Sequence, residues 1–203
     1  NSGDREVLNV FSYFDSTLSA DTDENGHGSH CAGTIGGVNV GVAPKANVYG
    51  VRVLNAEGSG STSGVVAGLE AVLAIRVSEP SRPMVVSMSL GGPCDGVCEE
   101  DALVMAVDEL SVNGITVLVA AGNDAEDACQ FSPAAATTAV TVGATAVGDT
   151  LADYSCYGSC VDILAPGSQI TSVCASDVCD SLDRYSEMSG TSMATPHVAG
   201  VTA

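Results

Sequence analysis

Short, nearly unbroken apolar runs alternate along this chain with longer segments of helical spacing, and glycine-rich turns separate them. Residues 47–54, 84–90, 115–121, 139–143 and 161–164 read as strands of the kind buried on both faces. Residues 63–76 and 99–113 read as helices. In the second, Leu103, Ala106, Val107 and Leu110 fall on one face and Gly114 supplies the stop. Strands joined through helices predict an α/β fold: a mostly parallel central sheet with helices on both faces, three layers in all. In such sheets functional groups gather at the carboxyl ends of strands, where Leu90 and Asn123 fall. No repeat, low-complexity tract or linker interrupts the pattern. A single domain is expected, which 203 residues with 45% hydrophobic content can supply with one core.

Composition narrows the function classes. Six basic residues against twenty-five acidic ones give a formal charge of -19. That repulsion excludes nucleic acid and anionic membrane surfaces as partners. The acids are scattered, so they read as a solvated surface, with some available to a hard cation such as calcium. No apolar stretch approaches the ~20 residues of a membrane span. The sequence opens on Asn1, without an initiator Met or a secretory leader. Eight cysteines point to disulfides and an oxidising compartment. Cys94 with Cys98, and Cys174 with Cys179, could each close a small loop. Eight thiols nevertheless allow on the order of a hundred connectivities. A zinc site is the rival reading, and the absence of two CxxC pairs disfavours it.

The candidate chemistry lies in three glycine-marked runs. Gly190-Thr191-Ser192-Met193-Ala194-Thr195-Pro196-His197-Val198-Ala199-Gly200 puts a serine hydroxyl where an apolar helix begins. Serine needs a base, an oxyanion site and a fixed orientation to act as a nucleophile, and a helix N-terminus helps with the last two. Asn25-Gly26-His27-Gly28-Ser29-His30-Cys31-Ala32-Gly33-Thr34 offers the base at a turn. Ala120-Ala121-Gly122-Asn123-Asp124 ends a strand with a side-chain amide.

Together these runs resemble the His, oxyanion-Asn and Ser motifs of the subtilisin superfamily. Gly58-Ser59-Gly60, Ser89-Leu90-Gly91-Gly92 and Ala165-Pro166-Gly167 fit its proteinase K-like branch in the same order. The resemblance implies a serine endopeptidase with His27 as general base, Ser192 as nucleophile and Asn123 as oxyanion donor. His30 and His197 are then structural. Extended peptide would lie along Gly58, Ser59, Gly60 and Ser89, Leu90, Gly91 as an added strand. Ala120, Ala121 and Gly122 would line the first specificity pocket, whose small walls suit a large apolar side chain. The resemblance also implies a Cys129–Cys160 disulfide, a free buried Cys31, and calcium at Asp162 with carbonyls near Thr137 and Ala139. Cys156 stays unassigned. A secreted monomer acting on protein substrates, made with an N-terminal propeptide and needing no cofactor for chemistry, completes the picture.

The sequence departs from the family in one respect. The triad order is Asp, His, Ser, with the Asp ending a core strand, and Asn1 stands only 26 residues before His27. Asn1-Ser2-Gly3 lacks a preceding hydrophobic strand, and Asp4, Asp15, Asp21 and Asp23 read as loop carboxylates. The expectation is a domain truncated at both ends, lacking the strand with the catalytic Asp and the C-terminal helices, and inactive by itself. A peptide-binding pseudoprotease is the alternative if no upstream Asp exists. An esterase is disfavoured because Ser192 lies in Gly-Thr-Ser-Met-Ala rather than Gly-x-Ser-x-Gly.

Overall fold

The computed structural model describes residues 7–14, 23–175, 178–179 and 184–203. Its strands are β1 (Val7–Ser12), β2 (Val48–Arg52), β3 (Val85–Met88), β4 (Gly92–Pro93), β5 (Thr116–Ala120) and β6 (Phe131–Ser132), followed by β7 (Val140–Ala146), β8 (Thr150–Leu151), β9 (Ile163–Pro166), β10 (Ile170–Val173) and β11 (Tyr185–Met188). Its helices are α1 (His27–Gly36), α2 (Thr62–Ser78), α3 (Ala102–Val112) and α4 (Thr191–Thr202). β3, β5, β7 and β9 pair in parallel, and β8 adds an antiparallel edge to β7. This is the predicted α/β architecture with a mostly parallel sheet.

Strand β5 shows how the layers are built. Val117 and Val119 enter the core beneath α2 and α3, beside Leu69 and Val107. Leu118 between them enters the opposite core, beside Ala194 and Ala199 of α4. Successive side chains of a strand point to opposite faces, so an unbroken apolar run is what a sheet covered on both faces requires. The helix starts are set by side chains. Ser61 Oγ accepts the Gly64 N–H at 3.1 Å to cap α2. Asp101 accepts the Leu103 N–H at 2.8 Å to cap α3. That cap moves the start of α3 to Ala102, and the preceding residues form a separate turn of 3-10 helix, Cys98–Glu100.

The sequence pattern does not show β1, because Asn9 interrupts the apolar run around Val10 and Phe11. β1 lies parallel to β2, and the two form a sheet of their own. The β10–β11 hairpin was missed as well. Val51 of β2 and Val86 of β3 pack into one core, yet no backbone hydrogen bond joins β2 to β3 among the described residues.

Three disulfides link Cys94 to Cys98, Cys129 to Cys160 and Cys174 to Cys179. Cys31 and Cys156 are free. Cys156 is fully buried, while Cys31 is only partly so, less than the sequence reading expected. Asp4, Asp15 and Asp21 lie outside the described residues.

Candidate active site

Ser192 is the second residue of α4, and Gly190 enters that helix with a φ of 154°, a conformation open to glycine. Pro196 sits four residues on and has no N–H, so the Ser192 carbonyl loses its helical partner. Two groups take it up. Ser89 Oγ donates to it at 2.8 Å and the Cys31 thiol at 3.4 Å. The helix breaker thus ties the serine's backbone to the end of β3 and to α1. The sequence carries the signal for this, a proline inside a helical pattern.

The Asn123 side chain is oriented by chemistry that admits one solution. Its Oδ1 accepts the Thr191 N–H at 2.8 Å and the Thr191 hydroxyl at 3.1 Å. A backbone N–H can only donate, so the atom facing it is the amide oxygen and the NH2 group is left free. Thr191, with none of its surface exposed, also accepts the Gly122 N–H at 3.2 Å. One buried hydroxyl therefore joins the pocket wall to the serine's turn.

His27 opens α1 after Gly26, whose φ is 89°. Burial holds its imidazole below the ordinary value of 6.5, opposed by the negative charge of Asp23 and reinforced by His30. The ring is therefore a neutral base near neutral pH. The Cys31 thiol lies 4.0 Å from His27 Nε2, and burial pushes it up to about 11, so it stays protonated. Ser192 Oγ donates to the Ser89 carbonyl at 3.3 Å rather than to His27. His30 Nε2 meets the Ile170 carbonyl at 2.9 Å and His197 Nδ1 the Met193 carbonyl at 2.8 Å.

A pocket opens beside Ser192 between Leu90–Gly92 and Ala120–Asn123. Sequence reasoning missed Phe131 and Ser132 at its floor, held by the β4–β6 pair. It also missed Asp124, an exposed carboxylate on the lining. Gly122 packs so close to Cys156 that a Cβ would lie 2.9 Å from its sulfur. Gly58, Ser59 and Gly60 do not line this pocket. Ser59 turns both backbone groups inward, its N–H and C=O bonding Asn55.

Asp162 is exposed, and its Oδ2 accepts the Thr141 N–H at 2.8 Å. No group of three or more His, Cys, Asp or Glu side chains that could hold a metal gathers among the described residues. A lone carboxylate is a hard oxygen donor of the kind calcium takes rather than a transition metal. No described helix is long and apolar enough to cross a membrane.

A serine at a helix start and a side-chain amide line a pocket on a parallel α/β sheet, and the Cys31 thiol stands between the serine's carbonyl and a neutral histidine, an arrangement suited to acyl transfer. The chain belongs to the subtilase family, whose model matches residues 7–203. It is 51% identical over 185 residues to subtilisin-like protease 2 of Pseudogymnoascus destructans, covering 91% of this chain and 43% of that protein. It is 50% identical to alkaline serine exoprotease A of Vibrio alginolyticus, covering 90% of this chain and 31% of the relative. For proteinase T of Parengyodontium album the identity is 48%, with 90% and 59% covered. Among solved structures, a cold-adapted subtilisin-like serine proteinase superposes with a TM-score of 0.84 at 45% identity, over 97% of this chain and 66% of that one. The chain thus spans from about a third to two thirds of the relatives it matches.

Proposed function

We propose that this chain forms most of the catalytic domain of a secreted serine endopeptidase. Ser192 Oγ attacks the peptide carbonyl while His27 takes its proton, and His27 then returns the proton to the leaving amine. Water hydrolyses the resulting ester with the same base. The free NH2 of Asn123, together with the Ser192 N–H in the first turn of α4, stabilises the oxyanion. The fixed orientation of Asn123 carries the reading, because an amide locked by Thr191 with its donors free has no other evident task. Peptide adds as a strand along Ser89, Leu90 and Gly91 and along Gly58 and Gly60, with its leading side chain in the pocket. Secretion is supported by the three disulfides and by relatives named as extracellular or exoproteases.

Among the described residues no carboxylate hydrogen-bonds the His27 ring. Asp23 is the carboxylate acting on His27 among the described residues, and backbone amides occupy its oxygens. The orienting carboxylate is therefore a group other than Asp23. Loss of the triad carboxylate alone costs about 30,000-fold in kcat on a subtilisin. Cleavage of casein by the full-length protein, wild type against Ser192→Ala, tests the reading. Loss of activity and of fluorophosphonate labelling is expected, and a Ser192→Ala protein that still cleaves casein would sink it.

A further inference from the structure

His27 begins α1, and the glycine before it has no side chain to cap the helix. Asp23 does so from four residues upstream of the histidine. Its Oδ1 accepts the Gly26 N–H at 2.8 Å and the Asn25 N–H at 3.2 Å, and its Oδ2 accepts the Ser29 N–H at 2.8 Å. A carboxylate that bonds amides on both sides of His27 fixes the backbone from which the imidazole projects. Burial alone would raise the Asp23 pKa, but these hydrogen bonds outweigh it and the net direction is down, so the group stays ionised. A plain loop carboxylate, as the sequence suggested, would make no such set of bonds.

The other groups around the imidazole are weaker or neutral. His30 and the protonated Cys31 thiol share its helix. From α4 comes Ser192, whose carbonyl Cys31 binds, and from the end of β3 comes the Ser89 hydroxyl.

We propose that Asp23 is a positioning residue for His27: its carboxylate clamps the turn that aims the imidazole at Ser192 and supplies a fixed negative charge beside the base. The inference rests on His27 being the general base. The test uses the full-length protein with a peptide p-nitroanilide, measuring kcat, KM and the pH profile of kcat/KM. Asp23→Asn keeps the shape and one acceptor but removes the charge. It should lower kcat about 10-fold, leave KM within about twofold, and move the acid limb of kcat/KM down by about half a pH unit. Asp23→Ser, a competent cap without charge, should move the limb in the same direction and serves if the first variant folds poorly. Glu24→Gln removes a neighbouring exposed charge that pairs with Arg52 and should leave the limb in place. Variants that melt earlier but keep wild-type kcat and limb would reduce Asp23 to a helix cap and overturn the proposal. An equal limb shift in Glu24→Gln would also overturn it, because bulk charge would then be the cause. Activity surviving Ser192→Ala would instead overturn the functional reading beneath it.

Discussion

Replacing Thr191 with valine removes one oxygen from the junction between pocket and nucleophile while keeping the side chain's shape. The hydroxyl accepts the Gly122 N–H and donates to Asn123 Oδ1. Without it the part-buried Gly122 N–H is stranded, which costs up to about 1–3 kcal/mol. At ~2–4 °C per kcal/mol for a domain of this size, Tm should fall by about 2–12 °C. Asn123 keeps the shorter bond from the Thr191 N–H, at 2.8 Å, and so loses only part of its orientation. Losing an oxyanion donor outright costs about 100–1000-fold in kcat, a figure measured on a subtilisin. A partial loss should then cost about 10-fold, with KM little changed because the effect falls on the transition state. The assay is steady-state hydrolysis of a peptide p-nitroanilide by the full-length enzyme, alongside scanning calorimetry. Thr191→Ser, which keeps the hydroxyl, should retain most of the activity. A Thr191→Val enzyme with unchanged kcat and raised KM would refute the account of Asn123 given above.

Other expectations follow from packing, burial and loop length. Gly33→Ala would place a Cβ 2.5 Å from Ser172 Oγ and 2.7 Å from Val173 Cγ2, so prising α1 from β10 should cost about 1–3 kcal/mol in a denaturant titration. Burial holds the His30 pKa below its ordinary 6.5, against the opposing pull of the Ile170 carbonyl. The unfolded chain therefore binds that proton first as pH falls. Stability should be full above about pH 6.5 and decline toward pH 5, and His30→Asn should flatten the slope in part while His27 retains the rest. Cys129 and Cys160 close a 31-residue separation and Cys94 and Cys98 one of 4; paired serine substitutions should cost about 4 and about 2 kcal/mol by loop entropy, read from urea melts. If calcium binds at Asp162, EDTA should lower the Tm of the wild type but not that of Asp162→Asn.

The layered fold was legible because β5 and the middle of β7 are buried on both faces and their apolar runs say so without help from context. β1 was not legible, since its period is broken by Asn9 and its pairing with β2 is a distant contact. The candidate site divides along the same line. His27, Asn123 and Ser192 sit in runs whose glycines mark unusual backbone, and these can be read locally. The groups that orient them cannot. Thr191 reaches Asn123 across 68 positions, and Cys31 reaches Ser192 across 161. Asp23 is close in sequence yet looked like any surface acid, because its three bonds go to backbone amides that no side-chain pattern reveals. Phe131 and Ser132 entered the pocket through the short β4–β6 ladder, which is too brief to show a period.

The seam between β2 and β3 has a consequence for how the molecule breathes. Val51 and Val86 pack against the same core on either side of it, but among the described residues no ladder has to break for the β1–β2 pair to part from the main sheet. Amide exchange should therefore sort into two populations. β5 and β7, bonded on both edges, should exchange through global unfolding, while β1 and β2 exchange through a cheaper excursion that costs apolar contact and side-chain bonds such as Arg82 to Tyr49. A strand filling the seam would merge the two populations into one, so exchange on β2 would report its arrival residue by residue.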